Sequence, residues 1–185
     1  MTVKITGPFT KEKLAFLRTG DDVLLSGEIY TARDAAHKRM TEMLKRGEAL
    51  PFDIKNAIIY YVGPTPAKPG RPMGSAGPTT SYRMDPYAPM LMEEGQTGMI
   101  GKGPRSEEVI EAIKKNKAVY FAAIGGAGAL MSKKIIRSET VAFDDLGTEA
   151  LRRLTVRDMP VKVAVDSFGN DIYKTGRKKY LEEQK

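Results

Sequence analysis

The sequence predicts a mixed α/β domain in which some strands pair in parallel. Its 185 residues fit one compact domain better than two. Hydrophobic residues make up 41% and charged residues 29%, which are ordinary values for a globular protein with a real core. Apolar runs of strand length alternate with helical patterns in the second half of the chain. We therefore expect residues 1–185 to form a single domain, with a charged tail over 176–185.

The first elements are a strand and a helix. Residues 21–30 predict one bent strand or two short ones, because a Ser-Gly pair interrupts the apolar run. The following helix should have Thr31 as its N-cap, with Asp34 three residues later, and should end before Gly47. Its predicted buried stripe comprises Ala36, Met40, Met43 and Leu44.

A buried strand, a long loop and a second helix come next. The apolar run 57–62 predicts the strand. Residues 63–80 are crowded with Gly and Pro, and so long a loop in a small domain is either functional or disordered. Ser106 can cap a helix that carries Glu107 and Glu108 in its first turn, where negative charge suits the helix dipole.

The last third continues the alternation. The uninterrupted apolar run 118–124 predicts a strand covered on both faces. Glycines at 125, 126 and 128 should turn the chain into a short helix around Leu130 and Met131, and they lack the spacing of a dinucleotide-binding turn. The remaining predicted elements are an extended segment at 140–143, a helix at 148–154 and a final strand at 160–168.

The composition excludes several kinds of site. The chain contains no cysteine, so it can form no disulfide and offers no thiolate to zinc or to an iron–sulfur cluster. A single histidine, His37, leaves no basis for a multi-histidine metal site or a Ser-His-Asp triad. The first residues lack the apolar segment of a signal peptide, and no stretch approaches the roughly 20 apolar residues of a membrane span, which predicts a cytoplasmic protein.

Positive charge points to an anionic partner. The formal net charge is +7, but basic residues are interleaved with acidic ones and no aromatic-rich recognition strand appears, which argues against nucleic acid. Arg33 and His37 share a helix face and could lie beside a bound anion near the helix N-terminus. Alternatively, the arginine is solvated and the histidine lies in the core. Segment 74–85 combines glycines, threonines and Arg83 into a candidate anion clamp, or is a loop tied by its own side chains. Lys102, between two glycines, is an accessible cation or an ordinary surface lysine.

Motifs along most of the chain resemble one enzyme family. The stretches SGEIYTARDAAHKRM, GPTPAKPGRPMGSAGPTTSYRMDPY, GMIGKGPRSEEV, FAAIGGAGALM, AFDDLGTEAL and VAVDSFGND occur in this order between residues 26 and 171. This succession closely resembles the β subunit of two-subunit class I fumarases and L-tartrate dehydratases. The resemblance implies a swivelling β/β/α domain with mixed sheets and flanking helices, and a hydro-lyase of the tricarboxylic acid cycle that hydrates fumarate to (S)-malate.

The same resemblance implies a cofactor, a partner and a set of site residues. A 4Fe-4S cluster would be carried by a cysteine-bearing α subunit in an α2β2-type hetero-oligomer, so this chain would hold no metal and would be active only with that partner. Arg33 and Arg83 would bind the two carboxylates of the substrate, Lys102 would add positive charge, and Thr79 would move a proton. The residues implied to orient these side chains are Asp34, His37 and Asp85.

Two other functions remain open from the sequence. An L-tartrate dehydratase β subunit would share the machinery and differ in substrate by one hydroxyl group. A non-catalytic anion-binding module would keep the cationic residues without needing a partner that carries a cluster.

Overall fold

Seven strands interleave with helices in the computed structural model, which describes residues 2–123 and 126–176. The strands are β1 (Thr2–Thr6), β2 (Asp22–Thr31), β3 (Ile58–Tyr60), β4 (Gly98–Gly101), β5 (Val119–Ala122), β6 (Ile135–Ala142) and β7 (Leu151–Val165). The helices are α1 (Lys11–Leu14), α2 (Asp34–Lys45), α3 (Ala88–Glu93), α4 (Glu107–Asn116) and α5 (Gly128–Ser132), with 3-10 segments at Ser81–Met84 and Asp144–Glu149.

The sheet combines parallel and antiparallel pairing. Strands β1 to β5 lie side by side in parallel, in chain order. Strand β7 runs antiparallel to β2, to β5 and to β6. Because β7 pairs with both β2 and β5, strands β2, β3, β4, β5 and β7 close into a ring, which β1 and β6 extend at its sides. The predicted α/β class, with a mixed sheet and flanking helices, is confirmed.

Two hydrophobic cores occupy the two faces of this sheet. Successive side chains of a strand point to opposite faces. In β3, Ile58 packs into a core built by all five ring strands, whereas Ile59 packs into the core shared with helices α2, α3 and α4. Phe121 and Tyr120 of β5 divide in the same way. Burial on both faces explains why these short strands read as continuous apolar runs.

Helix α2 begins later than the sequence predicts. Thr31 is not its N-cap, because Thr31 is the last residue of β2 and its hydroxyl oxygen accepts a hydrogen bond from the Arg152 amide (3.3 Å). Arg33 takes the N-cap position and supplies no capping side chain. The predicted Met43 and Leu44 are only half-buried. The residues fully buried on α2 are Ala36, His37, Met40 and Thr41.

The predicted helix at 148–154 is wrong. The 3-10 segment ends at Glu149, and the long strand β7 begins at Leu151. Leu151 and Leu154 are buried at a spacing of three, which fits a helix face as well as it fits this strand. Because this segment pairs with β2 on one side and with β6 on the other, it forms a strand. The strand predicted at 160–168 is therefore only the end of β7, which stops at Val165.

Other local predictions hold. Residues 22–31 form one strand bent by a bulge between Leu25 and Gly27. Ser106 caps α4, its hydroxyl oxygen accepting from the Val109 amide (3.4 Å). Loop 63–80 carries only isolated bridges. Gly125 and the predicted tail beyond Gly176 lie outside the described residues. None of the helices within the described ranges is long and apolar enough to cross a bilayer.

Candidate active site

The predicted site residues meet where parallel strands end. Arg33 follows β2, and Lys102 follows β4, at the same edge of the sheet. The loop after β3 returns to this edge, where the Lys102 amide donates to the Thr79 carbonyl (3.3 Å) and the Ser81 amide donates to the Lys102 carbonyl (2.8 Å). In α/β sheets with parallel strands, ligands bind beyond the carboxyl ends of the strands. The fold therefore brings three distant segments to one candidate binding edge.

Arg33 lies between a carboxylate and a glycine. Its Nε is 3.2 Å from Oε1 of Glu149. Its guanidinium also lies against Gly63, where a Cβ would stand 2.4 Å from Nη1. Only glycine at position 63 leaves room for this placement. Arg33 is thus held on two sides, and a quarter of its side chain stays exposed (25%).

Arg83 is held by Asp34. Nε of Arg83 donates to Oδ1 (2.9 Å), and Nη2 forms an ion pair with Oδ2 (2.8 Å), so Asp34 faces the Nε and Nη2 edge of the guanidinium. Asp34 also lies 3.9 Å from Nε of Arg33. One carboxylate therefore links the two arginines. The Arg83 side chain remains 42% exposed and accessible to a ligand.

His37 lies beneath the site as a neutral side chain. It is fully buried, with its ring edge-on to Tyr61. Its Nδ1 donates to the carbonyl oxygen of Arg33 (2.9 Å). Burial lowers the pKa of His37 to about 4, against a weaker raising effect of the Arg33 carbonyl. At neutral pH this uncharged ring supports the backbone of Arg33.

Asp85 orients a buried arginine and a helix rather than the exposed cations. Its Oδ1 accepts from Nε of Arg105 (2.6 Å), and its Oδ2 accepts from the Ser106 amide (2.7 Å) at the start of α4. Arg105 is buried, with its Cζ 5.4 Å from the ring centre of Tyr61 and 5.0 Å from that of Tyr120. The hydroxyl of Tyr120 in turn donates to the carbonyl oxygen of Gly103 (2.8 Å), which connects this cluster to the turn that follows Lys102.

The glycines on either side of Lys102 are both required. A Cβ on Gly101 would stand 1.9 Å from Oγ of Ser81. Gly103 has a φ of +82°, and its carbonyl oxygen lies 2.8 Å from the hydroxyl of Tyr120. Lys102 itself is exposed at the tip of this tightly packed turn.

The site combines three cations with two carboxylates. Arg33, Arg83 and Lys102 can bind a ligand that carries two carboxylates, since guanidinium matches carboxylate geometry in pairs of hydrogen bonds. Among the described residues, no group of three or more His, Cys, Asp and Glu side chains is placed to hold a metal ion. The sequence also contains no cysteine, so the residues of this chain do not fit an iron–sulfur cluster.

Two residues of this region cannot be recognised from the sequence alone. Glu149 falls within the segment that reads as a helix, which hides its contact with Arg33. Arg105 reads as an ordinary basic residue before a capped helix, because nothing in the local pattern shows that Tyr61, just after β3, and Tyr120 of β5 lie against it. The AFDDLGTEAL motif marks the first region, but spacing alone gives its glutamate no role.

Known proteins are similar in sequence to this chain over most of its length. The sequence is 39% identical to "Fumarate hydratase 2" of Leishmania major over 88% of this chain and 29% of that protein, and 40% identical to "Fumarate hydratase class I, anaerobic" of Escherichia coli over 80% and 28%. It thus spans less than a third of the length of these two relatives. It is 41% identical to "Putative L(+)-tartrate dehydratase subunit beta" of Methanocaldococcus jannaschii, covering 94% of this chain and 92% of that protein. Residues 1–176 match the family described as "Fumarase C-terminus", and the chain therefore belongs to this family.

Proposed function

We propose that this chain is the β subunit of a class I fumarate hydratase and catalyses, with its partner, the reversible hydration of fumarate to (S)-malate. The observation that carries the proposal is the pair Arg33 and Arg83, each held by a carboxylate at the sheet edge that also presents Lys102. A C4 dicarboxylate carries two negative groups and calls for two separate cationic partners. Membership of the family supports the same reaction.

Each arginine would bind one carboxylate of the substrate. Asp34 takes the Nε and Nη2 edge of Arg83, which leaves the Nη1 end of the fork for the ligand. Hydrogen bonds between charged groups contribute about 1.5–3 kcal/mol each. The two arginines would therefore fix the orientation of the carbon chain between them. They would also stabilise the charge that accumulates on a carboxylate when the neighbouring carbon loses its proton.

Thr79 is the proposed proton carrier at C3. Its backbone amide donates to the Tyr61 carbonyl (2.7 Å) and its carbonyl accepts from the Lys102 amide (3.3 Å), so the backbone of the threonine is held next to that of the lysine. A threonine hydroxyl is a weak base, and nearby positive charge favours its deprotonated form. Lys102 and the arginines would supply that charge. Asp34 and His37 would keep the cations in place.

The partner would supply what this chain lacks. A 4Fe-4S cluster needs thiolate ligands, and the sequence has no cysteine, so we assign the cluster to a cysteine-bearing α subunit. The proposed assembly is an α2β2 hetero-oligomer in the cytoplasm, inactive without the α subunit. The word "subunit" in the name of the Methanocaldococcus jannaschii relative supports a partner chain.

An L-tartrate dehydratase β subunit is the second candidate. Among the relatives described above, the one matched over 92% of its own length carries that name, whereas the fumarate hydratases are matched over less than a third. Tartrate would use the same two arginines for its carboxylates. The two functions therefore differ only in which substrate the assembled enzyme turns over.

Reconstitution with the α subunit tests the proposal. We expect fumarate to be consumed under anaerobic conditions only when both chains are present. In Arg83→Ala the rate should fall at least about 100-fold, because the charge-assisted hydrogen bonds of this guanidinium to a substrate carboxylate are lost. Arg46→Ala is the matched control, since Arg46 pairs with Glu48 beyond the far end of α2, and it should retain full activity. Turnover of tartrate alone would select the second candidate. An intact complex that acts on neither substrate would contradict both.

A further inference from the structure

We propose that Glu149 is a positioning residue for Arg33, a role that deepens the proposed function and rests on it. Glu149 ends the 3-10 segment Asp144–Glu149 and reaches the start of α2 from a part of the chain more than 110 residues away. Its side chain is 21% exposed, so it lies mostly inside the site region. Both of its carboxylate oxygens have partners there.

The first partner is the N-terminus of helix α2. The first amides of a helix have no partners within the helix and are commonly bound by the side chain of the N-cap residue. Arg33 is the N-cap, and a guanidinium has no acceptor. Oε2 of Glu149 accepts from the amide of Ala35 instead (3.3 Å). Glu149 thus performs from a distance the capping that the local sequence cannot provide.

The second partner is Arg33 itself. A cation at a helix N-terminus is opposed by the helix dipole. Oε1 of Glu149 lies 3.2 Å from Nε of Arg33 and offsets that charge. Gly63 lies against the guanidinium on another side, so Glu149 and Gly63 together limit where it can lie. The carboxylate of Glu149 therefore serves in two ways: its charge offsets that of Arg33, and its hydrogen bond satisfies the Ala35 amide.

The 3-10 segment is fixed on α2 by a second contact, which supplies a control. Arg39 donates from Nη1 and Nη2 to the two oxygens of Asp145 (2.8 and 2.7 Å), and its Cζ lies 5.0 Å from the ring centre of Phe143. Ala35 and Arg39 lie one turn apart on one face of α2. Asp145 and Glu149 thus anchor the same segment to the same helix, and of the two it is Glu149 that contacts Arg33.

Substitutions in the reconstituted complex test the role of Glu149. Glu149→Gln keeps an acceptor for Ala35 and removes the charge, so we expect the KM for fumarate to rise about tenfold, with kcat within about twofold of wild type. Asp145→Asn should leave both unchanged. In an Arg33→Ala background, Glu149→Gln should change nothing further, because Glu149 acts through Arg33. An unchanged or lower KM in Glu149→Gln, or an equal effect of Asp145→Asn, would overturn the proposal.

A readout without substrate separates this role from the proposed reaction. In nitrogen-15 NMR spectra of the full chain, Nε–H of Arg33 should exchange slowly with water in wild type and in Asp145→Asn, and at least tenfold faster in Glu149→Gln. If the wild-type complex turns over no dicarboxylate while this pattern holds, the proposed reaction fails and the positioning of Arg33 stands. Equal exchange in all three proteins would refute the positioning itself.

Discussion

The buried ion pair of Asp85 and Arg105 should be among the costliest contacts to break in this protein. The Arg105 side chain is 0% exposed and that of Asp85 is 11% exposed. Asp85→Ala would remove the charge partner of Arg105 (2.6 Å) and the acceptor for the Ser106 amide (2.7 Å) at the same time. The arginine cannot leave, because the rings of Tyr61 and Tyr120 enclose it.

The expected loss is large and has two parts. Removing one partner of a buried ion pair destabilises by about 3–5 kcal/mol, because the other charge is left without compensation. Losing the hydrogen bond at the start of α4 adds about 1 kcal/mol. For a chain of this size, the total corresponds to a fall in Tm of roughly 10–20 °C.

Urea denaturation followed by far-ultraviolet circular dichroism measures this loss, since the chain contains no tryptophan. Adding Arg105→Met to Asp85→Ala should restore at least about 2 kcal/mol, because an apolar side chain between the two tyrosines needs no charge partner. Glu48→Ala, which breaks an exposed pair with Arg46, should cause no measurable loss. A loss of less than about 1 kcal/mol in Asp85→Ala, or a double variant less stable than Asp85→Ala, would show that Arg105 does not depend on Asp85 for charge compensation.

Three further predictions concern titration, space and backbone strain. Burial lowers the pKa of His37 from 6.5 to about 4, so between these pH values the unfolded chain binds a proton on this ring and the native state does not. The free energy of unfolding should therefore fall by up to about 3 kcal/mol as the pH drops from 6.5 through 4. Urea titrations at several pH values should show this fall in wild type and not in His37→Gln. Gly63→Ala should push the guanidinium of Arg33 aside and raise the KM of the complex at least about tenfold, whereas Gly176→Ala, whose Cβ would meet no atom within 4 Å, should not. Lys117→Gly should raise the free energy of unfolding by about 0.5–1 kcal/mol, because Lys117 ends α4 with a φ of +56°, and an unchanged denaturation midpoint would contradict this.

Local chemistry determined what the sequence could predict. The start of α4 depends on a hydrogen bond between the Ser106 hydroxyl and the amide of Val109, three residues later. Because this contact is local, Ser106 predicts the start of the helix directly. The short buried strands depend on burial at both faces, which leaves an apolar run such as 118–124. Arg33, Thr79, Arg83 and Lys102 fall in motifs whose resemblance to a known family points to them, and their proposed roles stay predictions.

Long-range pairing determined what the sequence could not predict. Leu151 and Leu154 fit a helix until β2 and β6 enclose them, and no local signal reports those neighbours. Thr31 fits an N-cap until its backbone joins the sheet. The contact of Glu149 with Arg33 depends on both of these outcomes. Contacts between residues more than 110 positions apart, such as that of Glu149 with the Ala35 amide, thus complete the site.

The closed ring of strands also constrains the order in which this protein can fold. The ring is completed by β7, whose register with β2 joins residues such as Asp22 and Lys162. During synthesis, β2 and β5 each keep one edge without its partner until the chain has grown beyond residue 165. Contacts so distant in sequence form slowly, and unpaired strand edges can associate with other chains in the meantime. A truncation before β7 should therefore yield an aggregating chain rather than a smaller folded unit.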